Sequence, residues 1–437
     1  MNKISKISEK QILIAIITIA ILVRIFASIF LGNKVESMPG IADQVTYHTL
    51  AQRVLGGFGF TFDTPWWPAT QPGEPTAHWS YLYTFYLTFV YKIFGVNPII
   101  PRIIQSIVIG ILQPLFIYKI SKKVFPDVSG LFAAGWIALY PYLIYYSAAL
   151  MTESWFITTV LAVFLIAIQF SSGNYSIRWF ILLGFLSGLA ILLRQVFMLI
   201  IPFLFFWILW VQRKNGVLKQ ILNLAMSATV ILLMILPFTI FNFQRFERFV
   251  LLNTNAGFAF FWSNNPIYGT KFVGIMPVEM GNYLEMLPIE LKGLDEAALD
   301  SELLKRGLSF VKENPGQYAL LSLSRIPILF EFLPSKDSSL ISNITRVASF
   351  GFALPFMIFG IFLSLKSLIQ SKSNFFDSPI CPILGFGIVY SGIHILTWSL
   401  VRYRLPIDSL FLIFASLSLA KIFQFLYTKH EPNKSNP

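Results

Sequence analysis

The stretch that decides the fold is QILIAIITIAILVRIFASIFL, residues 11–31. Its one charge is Arg24, and a helix built on it, rising about 1.5 Å per residue, reaches across the roughly 30 Å of hydrocarbon in a bilayer. The rest of the chain has the same character. Of 437 residues, 56% are hydrophobic and 12% charged, and the mean hydropathy is +0.68, whereas about a quarter of the residues of a soluble domain are charged. The composition specifies an all-α polytopic membrane protein. Lys3, Lys6 and Lys10 precede the first run and no small-residue cleavage site follows it, so the run reads as a retained anchor.

Nine further apolar runs lie near 99–118, 128–148, 152–170, 179–194, 196–211, 219–242, 346–365, 379–399 and 404–427, and two weaker ones at 79–95 and 318–333. Charge decides how to count them, because Lys and Arg in short loops favour the cytoplasmic side. With the two weak runs lying flat at the outer interface, the loops carrying Lys119, Lys122 and Lys123, then Arg213, Lys214 and Lys219, then Lys366 and Lys372 all fall inside. About ten spans follow, with both termini cytoplasmic and juxtamembrane helices on the outer face. The organisation expected is a transmembrane module over 1–242 with a first external loop at 32–98, an external region at 243–345, and C-terminal spans over 346–437. The excess of 33 Lys and Arg over 21 Asp and Glu belongs to those inner loops, so membrane lipids are expected as partners and nucleic acid is not. Cys381 is alone and forms no internal disulfide. The acidic stretch IELKGLDEAALDSELLKRG, residues 289–307, reads as a solvated helix face.

Chemistry is sought where ionisable groups meet the membrane edge, since they are costly there and tend to be functional. Asp43 opens the amphipathic stretch ADQVTYHTLAQ, with Tyr47 one turn later on the same face. Glu153 opens the run after YPYLIYYSAALMTE. Each acid has two readings, a helix cap or an ionised acceptor in a shared site. Arg102, Arg194, Arg402 and Arg404 gather on the same face; arginine forks suit phosphate, but each can also snorkel or pair locally, as Arg404 can with Asp408 one turn on. His78 and His394 have no companions at metal-binding spacing, and no nucleotide-binding glycine motif occurs in a fitting context.

Taken in order, LVRIFASIF (22–30), ADQVTYHTLAQRVLGGFGF (42–60), HWSYLYTFYLTFVYKIFG (78–95), YPYLIYYSAALMTE (140–153), GFLSGLAILLRQ (184–195), NTNAGFAFFWSNNPIYG (253–269) and RYRLPID (402–408) resemble the bacterial relatives of dolichyl-phosphate-mannose protein mannosyltransferases. These are polytopic GT-C glycosyltransferases, of family 39 and the lipid A aminoarabinose transferase-like group. The resemblance implies a GT-C fold and transfer of a sugar from a polyprenyl-phosphate carrier to a glycan, lipid or protein acceptor. The reaction would take place on the external side of the plasma (inner) membrane.

Asp43 stands in the place of the family's first-loop acid and Glu153 in that of its second. Gln44 follows Asp43 where relatives often carry a second acid, and a lysine that some place before the next helix is missing, leaving His78. A lipid phosphate is a good leaving group, so one base suffices. Asp43 would take the acceptor proton, and Arg102, Arg194, Arg402 and Arg404 would stabilise the departing phosphate. Tyr47, His78 and Glu153 would bind substrate, while Trp66, Trp67 and Trp79 would stack on sugars or anchor in the interface. No cofactor is required by this scheme, although two outer acids leave a divalent ion open. The competing readings are a glycan polymerase and a lipid or sugar transporter.

The topology is testable with single cysteines in a Cys381→Ser background. Those placed at Asp63 and Asp295 should react with an impermeant maleimide added outside intact cells, and one at Lys122 should not. Labelling at Lys122 would invert the assignment.

Overall fold

In the computed structural model, residues 8–430 are described except 67–69, 126–128, 174, 278–280, 282 and 337. Trp67 and the first two lysines of the amino-terminal cluster, Lys3 and Lys6, fall outside them. The chain begins with α1 (Glu9–Leu31), the amphipathic α2 (Asp43–Leu55) and α3 (Tyr81–Phe94). It continues through α4 (Ile99–Val124), α5 (Ser129–Leu139), α6 (Pro141–Ala148), α7 (Glu153–Gln169), α8 (Ile177–Leu193), α9 (Ile201–Gln212) and α10 (Val217–Phe246). Then come α11 (Ala256–Ser263), α12 (Glu296–Glu313), α13 (Pro315–Leu329), α14 (Leu340–Arg346), α15 (Phe352–Gln370), α16 (Ile380–Leu396) and α17 (Leu405–His430). Among the described residues the only β-pairing is two isolated bridges, Thr61 with Pro75 and Trp66 with Thr70.

The ten runs read as spans resolve differently from a uniform set. Seven helical stretches are long and apolar enough to cross a membrane: Glu9–Leu31, Ile99–Val124, Glu153–Ser172, Gln195–Asn215, Val217–Phe246, Leu340–Gln370 and Val401–Leu426. Three shorter apolar helices, α5, α8 and α16, occupy the other three. The run at 128–148 is broken into α5 and α6 because Pro141 has no N–H to continue the ladder. The two weak runs form α3 and α13, of 14 and 15 residues, which is shorter than a span needs.

Packing ranks the helices. Within the apolar window of α7, 78% of residues are buried against the rest of the chain, compared with 17% in α1 and 22% in α10, so α7 is the central strut and the other two face outward. Since lipid gives no hydrophobic drive for helices to associate, close approach and polar contacts hold the bundle. A side chain at Gly360 would overlap the Phe414 carbonyl, which fixes α15 on α17. There Ser418 Oγ also donates to the Phe356 carbonyl at 2.7 Å, and Ser227 of α10 donates likewise to Phe180 of α8 at 2.6 Å.

The break before α6 explains the charge in the first span. Losing the N–H at Pro141 strands the carbonyl at the end of α5, and the fully buried Arg24 reaches over from α1 to donate to Ile137 and Ala138 carbonyls, both at 3.0 Å. The amide of Tyr142, displaced from the same ladder, donates to Ser349 Oγ at 3.1 Å. From the other side, α4 presents a polar stripe. Arg102 and Gln105 donate to the carbonyls of Ser147, Ala148 and Ala149 that end α6, and Gln113 Nε2 reaches Thr158 Oγ1 on α7 at 3.1 Å. These bonds set the hairpin from Tyr140 to Glu153, and hence the place of Glu153.

Replacing Arg24 with Met should therefore lower the unfolding temperature in detergent clearly, because two buried carbonyls lose their donor at a cost of about 1–3 kcal/mol each. An unchanged melting curve would show that Arg24 does not hold the break.

Candidate active site

Four residues far apart in sequence converge at one end of the bundle. Asp43 opens α2, Glu153 opens α7, Arg194 follows α8, and Arg402 lies in the single 3-10 turn that leads into α17. Arg402 Nη2 is 2.8 Å from Asp43 Oδ2, and its Nε is 3.6 Å from Glu153 Oε1. Arg194 Nη2 bonds the same Glu153 oxygen, and its Nε donates to Thr152 Oγ1 at 3.2 Å. Tyr403 lies against both cations, its ring centre 5.4 Å from the Arg194 guanidinium carbon and 5.6 Å from that of Arg402. Its other neighbour is the His394 ring, stacked at 4.6 Å.

Neither acid caps its helix. The cap position of α2 is Ala42, already in helical geometry, and that of α7 is Thr152, also helical and without a capping bond. The capping alternative is thus replaced by ion pairing. The two acids differ in exposure. The Asp43 side chain is 25% exposed and that of Glu153 is 2% exposed, and the second oxygen of Glu153 is buried without a hydrogen-bond partner among the described residues.

Among the described residues the remaining candidates form no ion pair with these four. Arg404 is fully buried and is taken up by Asp408 at 3.0 Å and by the Leu329 carbonyl at 2.8 Å; Tyr140 secures the other Asp408 oxygen at 2.7 Å. Arg102, also fully buried, donates to the carbonyls of Ala148 and Lys34 and to Gln44 Oε1. Both guanidiniums tie backbone together in the interior. Tyr47 packs its ring edgewise on Trp79 and Tyr83, at 5.5 and 5.0 Å, and burial pushes its phenol above the ordinary range. Trp79 is buried in that contact, and Trp66 stacks on Phe62 and donates to Thr46 Oγ1 at 3.1 Å, so the protein itself occupies these faces. His78 bonds the Thr254 carbonyl through Nδ1 at 3.2 Å, and burial lowers its pKa.

The acidic stretch at 289–307 is not uniformly a solvated face. Glu296 turns inward and accepts from Thr70 Oγ1 and the Ala77 amide, each at 2.7 Å, and from the Thr254 hydroxyl. Asn253 Nδ2 donates to the carbonyls of Ala77 and Trp79 at 2.9 and 3.0 Å, and Gln195, beside Arg194, bonds Asn253 and Asn255. The segment between α10 and α13 is therefore fastened to the loop between α1 and α3 and to the turn carrying Arg194. The signal for Glu296 was faint, because an acid beside the capping Asp295 looks like any first-turn acid.

Among the described residues no three His, Cys, Asp or Glu side chains gather as metal ligands. An open groove of about 570 Å³, lined by Asn33, His48, Gln52 and residues 94–98, runs along the face of α2 opposite Asp43. It holds no carboxylate or guanidinium.

Residues 78–241 match the family described as dolichyl-phosphate-mannose-protein mannosyltransferase. The matched segment contains Glu153 and Arg194; Asp43 and Arg402 lie outside it and are brought to them by the fold. No curated protein matches the chain in sequence. Among solved structures, the apo oligosaccharyltransferase of Archaeoglobus fulgidus aligns with a TM-score of 0.60 at 16% identity, over 100% of this chain and 54% of that one. The oligosaccharyltransferase AglB from that organism, in complex with an inhibitory peptide and a dolichol-phosphate, aligns at 0.59 and 16% identity over 98% and 53%. At this identity the likeness is one of fold, and the chain has the GT-C fold. It spans about half the length of those two structures. ArnT from Cupriavidus metallidurans bound to undecaprenyl phosphate aligns at 0.44 and 12% identity, over 98% of this chain and 82% of that one.

Within this GT-C chain the seat of α12 is sensitive to pH. Gly257 lets α11 approach α12 so closely that a side chain there would overlap the Asp300 carbonyl, and Asp300 Oδ1 accepts from the Phe258 amide at 2.9 Å. Burial raises the Asp300 carboxyl from 3.8 to about 6. Between those values the folded state binds more protons than the unfolded one, so the contact loses stability as pH rises through about 4 to 6 and loses no more above it. After correction for intrinsic exchange, the Phe258 amide should be better protected from hydrogen exchange at pH 5 than at pH 8. Asp300→Asn should remove the difference, and a difference that survived it would assign the effect to another group.

Proposed function

We propose that the chain is an inverting glycosyltransferase that moves a sugar from a polyprenyl-phosphate carrier to an acceptor hydroxyl at the external face of the inner membrane. The acceptor is a glycan, lipid or protein. The observation that carries the reading is the convergence of Asp43, Glu153, Arg194 and Arg402 at helix ends of a GT-C fold. That an oligosaccharyltransferase of this fold is found with dolichol-phosphate supports a lipid phosphate as the group the arginines meet.

The roles follow from exposure and charge. Asp43, the more exposed acid, is the one a water-borne acceptor can reach, and it takes the hydroxyl proton as the acceptor oxygen bonds to the anomeric carbon. The bond from that carbon to the phosphate oxygen breaks in the same displacement, which inverts the centre. The electron pair leaves on the phosphate, where Arg194 and Arg402 offset the growing charge. Glu153 holds both guanidiniums in place, and its unpaired oxygen suits a sugar hydroxyl. Placing these groups at the outer face, with both termini cytoplasmic, follows from the basic inner loops.

Incubation with a radiolabelled polyprenyl-phosphate sugar tests the class of activity, since a transporter would leave the donor intact. Asp43→Asn should keep the fold and lower turnover by about 10²- to 10⁴-fold. Arg194→Gln and Arg402→Gln should weaken donor binding by roughly 1.5–3 kcal/mol, the scale of a charged hydrogen bond, with Lys restoring only part. Near-normal turnover in Asp43→Asn would move the base elsewhere.

A further inference from the structure

We infer that Arg402 is handed from Asp43 to the donor phosphate when the donor binds, so that the base is masked in the resting protein and released by its own substrate. The inference rests on the reading of this cluster as the donor-phosphate site.

The resting cluster is self-neutralised, with two carboxylates against two guanidiniums. The donor's phosphodiester adds one negative charge, and the monoester left after transfer up to two, so the phosphate has to compete with a carboxylate for a guanidinium already engaged. The two acids are not equally easy to displace. Glu153 is almost wholly buried and is gripped by Arg194 as well as facing Arg402, and stripping a buried carboxylate of its partners is expensive. Asp43 is 25% exposed against 2% for Glu153 and pairs with Arg402 through one oxygen, Oδ2 at 2.8 Å, so water can take the guanidinium's place on Asp43 more readily than on Glu153.

Arg402 is suited to the exchange. Its Nη1 is held loosely by the Gly40 carbonyl at 3.3 Å, and its buried Nε lacks a hydrogen-bond partner, which leaves an N–H for an incoming oxygen. Arg194, by contrast, has Glu153 on one nitrogen and Thr152 on another and stays in place as the fixed half of the phosphate grip.

The consequence is chemical. While Arg402 sits on Asp43, the guanidinium covers the carboxylate oxygen that an acceptor hydroxyl would have to reach. With the guanidinium on the phosphate, that oxygen is open to accept the hydroxyl's hydrogen bond and then its proton. Of the other ionisable groups, the Tyr47 phenol and the His78 ring face Asp43 and are present in both states, as are Glu153, Tyr146 and Tyr403 beside Arg402 and Arg194 beside Glu153. The acceptor thus meets an active base only after the donor has bound, which makes donor-before-acceptor the productive order.

The test uses the full chain in nanodiscs with aspartate labelled at its side-chain carboxyl carbon, the Asp43 signal being assigned by its loss in Asp43→Asn. Farnesyl phosphate is the probe, its phosphorus resonance reporting binding. Saturation at fixed pH should move the Asp43 carboxyl resonance away from its ion-paired position. In Arg402→Gln the resonance should already lie at the moved position without probe and should move much less on adding it, and Arg402→Lys should lie between. A bound probe with an unmoved Asp43 would overturn the exchange while leaving the phosphate site intact. An equal shift in the wild type and Arg402→Gln would assign it to the phosphate charge alone and also overturn the exchange. No binding at all would remove the phosphate site, and the exchange with it.

Discussion

The ion pair between Glu153 and Arg194 is the constraint on which the rest of the arrangement depends. A carboxylate with almost no exposed surface survives at the end of a membrane helix only if a cation is held against it, and that cation must itself be kept from drifting to water or headgroups. Arg194 is kept in place because it ends α8 and Ser80, the cap of α3, bonds the preceding turn through the Leu192 carbonyl at 2.8 Å. Glu153 is kept in place because the α6 hairpin is fixed by Arg102 and Gln105. Once the pair is set, Arg402 finds one acid already partly satisfied and a second, Asp43, within reach.

The same logic runs through the interior. Arg24, Arg102 and Arg404 are each fully buried, and each spends its donors largely on backbone carbonyls that a break, a turn or a hairpin has left open. Buried arginine serves two purposes in this fold. Where the partners are mostly carbonyls it shapes the backbone; where they are carboxylates at a helix end, as for Arg194 and Arg402, it leaves charge that a ligand can redirect. Arg404, with both Asp408 and carbonyls, belongs to the first group, because Tyr140 and the surrounding helices close the pair off.

How far this was legible in the sequence follows from the range of the interactions. The apolar runs and the ion pair between Arg404 and Asp408 depend on residues within one helix or one turn, and the sequence displays them directly. The two acids and the outward cations could be named as candidates from their positions at run ends. Their pairing could not, because Asp43 and Arg402 are joined only by the fold. Asp408 sets Arg404 apart from the other arginines in the sequence itself, but that Arg102 braces the backbone while Arg194 and Arg402 form the cluster was hidden, since identity and position at a run end are alike for these three. Pro141 announced the break of its run, yet the periodicity of apolar residues on both sides masked it. Glu296 was misread with its neighbours because amphipathic spacing shows that a helix has a wet face without showing whether a loop will cover it.

That loop gives α12 its place in the architecture. Three donors on Glu296, two of them from the first loop and one from the segment before α11, bind together parts of the chain that lie far apart in sequence. Asn253 and Gln195 extend the contact to the turn beside Arg194. An α2 held only by its own contact with α3 would leave Asp43 free to tilt with an exposed helix, whereas a first loop pinned from above by α12 and from below by α8 limits that freedom. The carboxylate of Asp43 can then be both loosely paired and well placed, and a site that exchanges partners without losing its geometry needs both.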